Sequence, residues 1–513
     1  MNTNACPFDE NACVELINGK IVDAINARYF DPNVTLHVKG GRIAAMPGIE
    51  GPADYMKPDF VIDLKGKTVM PGLFNTHCHT TLTSPSLLLD FHDIKDVNAY
   101  AEKQIKKNMS ECLLHGITTV RDAWAPDLRV LRNLREKIEK KTMLGPRILQ
   151  SVAVGPPGGY LTETYGWIMK WMRSKMGAPP VDYGREHGGS IMFPVDASPQ
   201  QVRDVVDRAI DERGADAIKV GEQKENMINF KPNATIMTLE QLAAIADQSR
   251  KRNLKSTIHH TSIETFRRSL KAGISSLAHI ACDGLLTEED IDLFLSHNSI
   301  IEPTMSVAYD MSYRVTGTAT ADAPYLQRLT IFRNRVHEDI VEKYWIPEFK
   351  TKARNHHLKA NNEKMKMFGL FPMKTMFANL AHVCTTGVRN LNMLYQHDGR
   401  ITSSNDGGIP PCTPAMMQHE IELLKLFLSP VDSKKGFSGA DAVRMATING
   451  AMSLGLEDDF GSIETGKIAD LVILDGDPLK DHRKVGRLVA ALFKDGRLII
   501  NNCKLQILAA SKV

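Results

Sequence analysis

Two histidines stand two positions apart in Pro71-Gly-Leu-Phe-Asn-Thr-His77-Cys-His79. On a strand, side chains at i and i+2 share a face, so His77 and His79 converge, and two converging imidazoles make half of a divalent-metal site. Lys219 closes the apolar run Asp216-Ala-Ile-Lys-Val220. Such a lysine either snorkels to water or starts a helix, or is buried at a cost that demands a partner. In the buried case its amine can add carbon dioxide, and the resulting carbamate is an anionic oxygen ligand able to bridge two divalent ions. His259-His260 and His279 come next, with His279 20 positions after His259. That is the length of one helix plus one strand, and only one of the adjacent pair can face the same way as His279. Last is Asp406 in Ser403-Ser-Asn-Asp-Gly-Gly408, which either caps a helix or ligates a metal and accepts a proton from attacking water.

These residues work together only if the fold brings them to one place. From Pro71 onward, short apolar runs alternate with amphipathic stretches. Strands are expected near Phe74 and over 116–120, 147–154, 215–220, 256–260, 275–280, 300–305 and 401–404. Helices are expected between them, for example 97–114, 127–140, 199–213, 239–252, 262–272 and 288–296. Strand–helix alternation argues for a parallel sheet, and eight units argue for an α/β, TIM-type parallel barrel. In that barrel the six candidates sit on strands one, one, four, five, six and eight. Residues 14–70 and the tail after about 456 are β-rich and punctuated by turns such as Asn18-Gly19 and Gly40-Gly41. Neither end holds enough strands for a stable sheet, so a small β-sandwich domain formed by both termini is expected. The expected organisation is 1–70 and 456–513 in the small domain and 71–455 in the barrel. About 95 residues separate Met305 from Ile401, where a βαβ step needs about 30. The excess, over about 306–400, reads as an insertion with a basic part, 350–366, containing His356-His357. It is a solvated helical excursion, a lid or an oligomer contact.

The 513 residues carry 63 Lys plus Arg against 60 Asp plus Glu, a net charge of +3. That balance excludes the global basic field of a nucleic-acid binder. The composition, 43% hydrophobic and 24% charged, is that of a globular chain. No apolar run reaches the length of a membrane span, and the acidic first fifteen residues do not read as a secretory signal. The eight cysteines are scattered without a CxxC pair, which suits reduced thiols in the cytoplasm.

The constellation resembles the amidohydrolase superfamily of metal-dependent hydrolases. The resemblance rests on the opening Pro71–His79 signature and on Ile258-His-His-Thr-Ser…Lys271-Ala-Gly-Ile-Ser-Ser-Leu-Ala-His279. It rests also on the tail Ala446-Thr-Ile-Asn-Gly-Ala451 with Gly461-Ser-Ile-Glu-Thr-Gly-Lys-Ile-Ala-Asp-Leu-Val-Ile-Leu-Asp475. Gly116-Ile-Thr-Thr-Val-Arg-Asp122 and Leu144-Gly-Pro-Arg-Ile-Leu149 are similar to the branch of prolidase-like and imidazolonepropionase-like enzymes. The resemblance implies two divalent ions, most often zinc. His77, His79 and Asp406 would hold one, His259 and His279 the other, and N6-carboxylated Lys219 would bridge them. Members often carry Gly-Gly-His after the third strand, whereas this chain has Gly155-Pro-Pro-Gly-Gly-Tyr160. Val-Gly-Glu-Gln-Lys follows Lys219 in place of a small-residue run.

The expected chemistry is metal-assisted hydrolysis of an amide C–N bond in a dipeptide, an N-acyl amino acid or a cyclic amide. The cations lower the pKa of a water to give hydroxide, Asp406 shuttles its proton, and Tyr160 or a neighbouring His steadies the developing oxyanion. The expected partner is a small-molecule substrate, with no nucleic acid or membrane, in a homo-oligomer. One rival is a one-metal deaminase of an aminated heterocycle; such enzymes typically carry a Glu where this chain has Ser262. A second rival is a non-catalytic binding barrel. A nucleotide-binding oxidoreductase is disfavoured, because neither GxGxxG nor GxxxxGK[ST] occurs.

Overall fold

The computed structural model describes residues 11–49, 57–85, 97–162, 187–224, 234–309, 341–360, 366–367, 371–372, 383–410, 412–429 and 435–509. Its centre is a parallel sheet. The eight strands are Leu73–Cys78, Ile117–Asp122, Arg147–Gly155, Ala217–Gly221, Lys255–His259, Ser276–Ala278, Ile300–Glu302 and Arg400–Ile401. They lie side by side in chain order and pair in parallel throughout. Beyond the eighth strand the chain meets the first: Cys78 and Gly407 form a parallel bridge, Asp406 N–H donates to His77 O at 2.9 Å, and His79 N–H donates to Gly407 O at 2.6 Å. A short strand absent from the sequence-based expectation, Ser190–Met192, pairs with the far end of the third.

The strands read with period two, as half-polar strands do. Ile218, Val220, Ile258, Leu277 and Ile301 join the main core. Their alternates Lys219, Thr257, Ser276 and Glu302 are also buried, and they face one another across the interior. The helices begin where the sequence supplies caps. Ser198 with Gln201, Thr238 with Gln241 and Thr287 with Asp290 form reciprocal capping boxes, satisfying amide donors that the first turn leaves unpaired. At the N-terminal end of the strands, Phe74, Leu149, Ala451, Leu454 and Phe460 close the interior with an apolar plug.

Both chain ends contribute to two further sheets. One orders Ile507–Ala509, Phe60–Asp63, Val14–Ile17, Leu36–Lys39 and Arg42–Ala45; the other orders Arg497–Asn501, Ala491–Lys494, Leu471–Leu474, Thr68–Pro71, Lys20–Asp23 and Arg28–Tyr29. Most pairings are antiparallel, and residues from both sheets share one core, including Leu16, Leu36, Val69, Ile473 and Phe493. Strand Thr68–Pro71 runs on through Gly72 into the first barrel strand, so the His77 segment is anchored by this second sheet.

Within the long insertion, helix Val388–Gln396 joins the main core through Val388, Leu391 and Leu394. Helix Pro347–Ala360 and the residues before it lie along helix Val97–Leu114. Gln104 Nε2 donates to Tyr344 O at 2.9 Å, Ile346 N–H donates to Gln104 Oε1 at 2.9 Å, and Lys103 pairs with Glu348 at 2.6 Å. Residues 310–340 and the side chains of His356 and His357 lie outside the described residues. Among the described residues no helix is long and apolar enough to cross a membrane.

Candidate metal centre

At the C-terminal end of the barrel, ligand atoms of His77, His279 and Asp406 all lie within 4.8 Å of one another. His79 completes the group, with Nε2 3.1 Å from Asp406 Oδ1; His77 Nε2 is 3.4 Å from the same oxygen. The ring centroids of His77 and His279 are 5.3 Å apart, and those of His259 and His279 are 4.3 Å apart. His279 therefore stands between His259 and the His77–Asp406 group, rather than with His259 alone.

Three imidazoles are fixed through Nδ1. His79 Nδ1 donates to Trp124 O at 2.7 Å, His279 Nδ1 meets Thr304 Oγ1 at 2.6 Å, and His77 Nδ1 lies 3.4 Å from Glu302 Oε2. With Nδ1 engaged, each presents Nε2 to the interior, the arrangement that orients histidines on metals. His259 is held the other way, with Nε2 bonded to Gln223 Oε1 at 2.6 Å. His260 points outward: its Nδ1 bonds Ala278 O at 2.8 Å and its ring lies beside Phe266. Burial and the cationic neighbours keep His77 and His259 neutral, well below the usual imidazole pKa, and burial pushes His279 down to about 4. Burial works the same way on His79, but the hydrogen bond and charge of Asp406 outweigh it and raise its pKa.

The backbone here is strained in a way the ligand positions require. Asp406 and His279 are non-glycine residues with φ of +51° and +71°, a region that side-chain-bearing residues seldom occupy. Gly408 has φ +112°, and a Cβ on it would lie 2.3 Å from His79 O. Gly408→Ala is therefore expected to displace His79 or Asp406 and to cost about 1–3 kcal/mol, seen as a lowered Tm together with weakened metal binding in a chelator competition. An unchanged Tm and affinity would contradict this packing.

Below the cluster lies a buried polar layer that sequence reading missed. Glu302 accepts from Arg121 Nη2 at 2.5 Å and from Ser453 Oγ at 2.6 Å; Arg121 Nη2 also donates to Thr257 Oγ1 at 3.2 Å. Both charged side chains of the pair are fully buried. The signal was the one that singled out Lys219, a charge inside an apolar strand, here Val120-Arg-Asp and Ile300-Ile-Glu. Glu302→Ala leaves the guanidinium buried and uncompensated, so a stability loss of about 3–5 kcal/mol is expected in denaturant titrations. A loss of less than about 1 kcal/mol would show that Arg121 finds another counter-charge.

Lys219 is buried in the same interior. Its Nζ has no hydrogen-bond partner among the described residues, and burial together with Arg121 pushes its pKa down to about 7. Tyr160 stacks on His259, with centroids 4.1 Å apart and planes at 23°. Gly221, at the end of the fourth strand, makes this approach feasible: a Cβ there would lie 2.5 Å from Tyr160 O. Ser262 caps helix Ile263–Ala272, accepting from Thr265 N–H at 3.1 Å.

The donor set fits a divalent transition metal: the neutral imidazoles of His77 and His279 and the carboxylate of Asp406 converge within 4.8 Å.

The Amidohydrolase family model matches residues 68–499. Among curated proteins, imidazolonepropionase of Picrophilus torridus is 46% identical over 67 residues, 13% of this chain and 17% of that protein. Adenine deaminase of Dehalococcoides mccartyi is 33% identical over 114 residues, 22% of this chain and 17% of that protein. The matched stretch thus spans 17% of the length of these curated relatives. Among solved structures, a Xaa-Pro dipeptidase with bound methionine in its active site superposes with a TM-score of 0.62 at 20% identity, covering 95% of this chain and 99% of that one. At that identity the likeness is one of fold.

Proposed function

Because the chain belongs to the amidohydrolase family, we propose that it hydrolyses an amide C–N bond in a dipeptide, an N-acyl amino acid or a cyclic amide at the cluster of His77, His79, His279 and Asp406. The observation that carries this reading is the convergence of His77, His279 and Asp406 ligand atoms within 4.8 Å at the end of the barrel where such folds place active sites. His77, His79 and Asp406 are proposed to hold one divalent ion, His259 and His279 a second, with N6-carboxylated Lys219 between them. Bound there, zinc ions would lower the pKa of water and polarise a carbonyl.

The chain's own residues do the rest. Asp406 accepts the proton of the attacking water and returns it to the leaving amine. Its position is held by Asp406 N–H on His77 O and by the His79 contact, so the carboxylate is oriented before substrate arrives. The Nδ1 partners Trp124 O, Thr304 Oγ1 and Glu302 keep each Nε2 directed inward. Tyr160, laid against His259, offers a hydroxyl to the substrate oxygen as charge builds on it. The orphaned Lys219 Nζ supports the carbamate: a neutral buried amine adds carbon dioxide and loses a proton, and the new anion removes the unpaired polar group. We also read the two outer sheets as one small β-sandwich domain that carries the first barrel strand.

A second reading, deamination of an aminated heterocycle at a single ion, is favoured by the fact that one three-residue cluster is found among the described residues. Against it, Ser262 is committed to capping a helix. Metal content and activity separate the two. Two ions per chain and turnover of dipeptides, N-acyl amino acids or lactams support the hydrolase. One ion and ammonia release from aminated heterocycles overturn it.

A further inference from the structure

Arg121 sits on the second strand and is fully buried, yet only its Nη2 is bonded; Nε and Nη1 have no hydrogen-bond partner among the described residues. The bonded Nη2 reaches Thr257 on the fifth strand and Glu302 on the seventh, so the guanidinium crosses the interior beneath the cluster. Thr257 is the register neighbour of Lys219 on one side and of Ser276 on the other. Lys219 Nζ and Ser276 Oγ are likewise buried without partners. Four orphaned donor groups therefore meet in one closed layer, with the carboxylate of Glu302 turned to Arg121 Nη2 and Ser453. Unpaired buried donors are costly, and an anionic acceptor placed among them would satisfy several at once.

We propose that Arg121 is the positioning residue for carboxylated Lys219: its free N–H groups donate to the carbamate and hold it in place. The inference rests on the carbamate reading above. In the step itself, the Nζ lone pair forms an N–C bond to carbon dioxide, one C=O π pair becomes the charge on oxygen, and the nitrogen gives up a proton to the bicarbonate-buffered solvent. Nothing is oxidised or reduced. The product places an anion beside Arg121 where the neutral amine stood, and the remaining oxygen lone pairs accept from the planar guanidinium, whose fork matches a carboxylate. Lysine at position 121 offers a single point charge and cannot reproduce both donors.

The test is ¹³C NMR of zinc-loaded protein equilibrated with a series of ¹³C-bicarbonate concentrations, using Lys219→Ala to assign the carbamate signal. The bicarbonate concentration for half-occupancy is expected to rise about tenfold in Arg121→Met, as for loss of a charge-assisted hydrogen bond, and to rise less in Arg121→Lys. Should Arg121→Met fail to fold, Arg121→Met combined with Glu302→Gln removes both buried charges and serves the same comparison. Equal occupancy curves for the wild type and the Arg121 variants overturn the role of Arg121 while leaving the carbamate in place. No Lys219-dependent signal in the wild type overturns the carbamate reading, and this inference with it.

Discussion

Asp406→Asn is expected to abolish turnover while leaving the fold intact. Asparagine keeps the shape and one oxygen of the side chain, and the backbone bond from Asp406 N–H to His77 O persists, so Tm should change little. What disappears is the ability to accept a proton. General-base catalysis by a positioned group contributes roughly 10²–10⁴-fold, and Asp406 lies within 3.4 Å of both His77 and His79, so its charge also contributes to cation binding. Steady-state kinetics with metal content measured on the same samples separates the two effects. A variant that retains metal and a near-normal rate would sink the general-base assignment; one that retains metal and loses turnover supports it.

Lys219→Ala should have the second-largest effect. Removing the side chain deletes the proposed bridging ligand and leaves the other buried donors of its layer unanswered. Metal affinity is expected to fall by more than about a hundredfold, the upper end of what loss of an outer-shell partner costs, and activity with it. With Arg121 donors facing the vacated space, as inferred above, a short carboxylate such as formate should enter and restore part of both. Unchanged metal stoichiometry in Lys219→Ala would remove the bridging role. Metal loss without carboxylate rescue would leave Lys219 a simple amine in the site.

The barrel was legible because its signals are local. Each helix carries its own start signal, as Ser198, Thr238 and Thr287 do, and each strand announces itself as a short apolar run between helices. Period two then put His77 with His79 and made Lys219 stand out, because a charge in an apolar strand has few places to go. The same rule applied to Arg121 and Glu302, yet they passed unmarked. Their importance is a property of the pair: neither is informative until the fold sets strand two opposite strand seven.

The sequence by itself determined the order of strands and helices, the residue types at the strand ends and the chemistry those types can perform. Tertiary structure decided which of them meet. His279 lies against both His259 and His77 because the closing strands bring the ends of the barrel together, a distance that no spacing along the chain encodes. His259 faced inward and His260 outward once the neighbouring strand supplied Ala278 O to one and Gln223 came within reach of the other. The strained φ values of Asp406 and His279, and the glycine that lets His79 approach at 408, are imposed by closure of the ring. A chain specifies its local conformations through short-range sterics and hydrogen bonds, whereas a site built from five strands exists only when long-range packing holds their ends together.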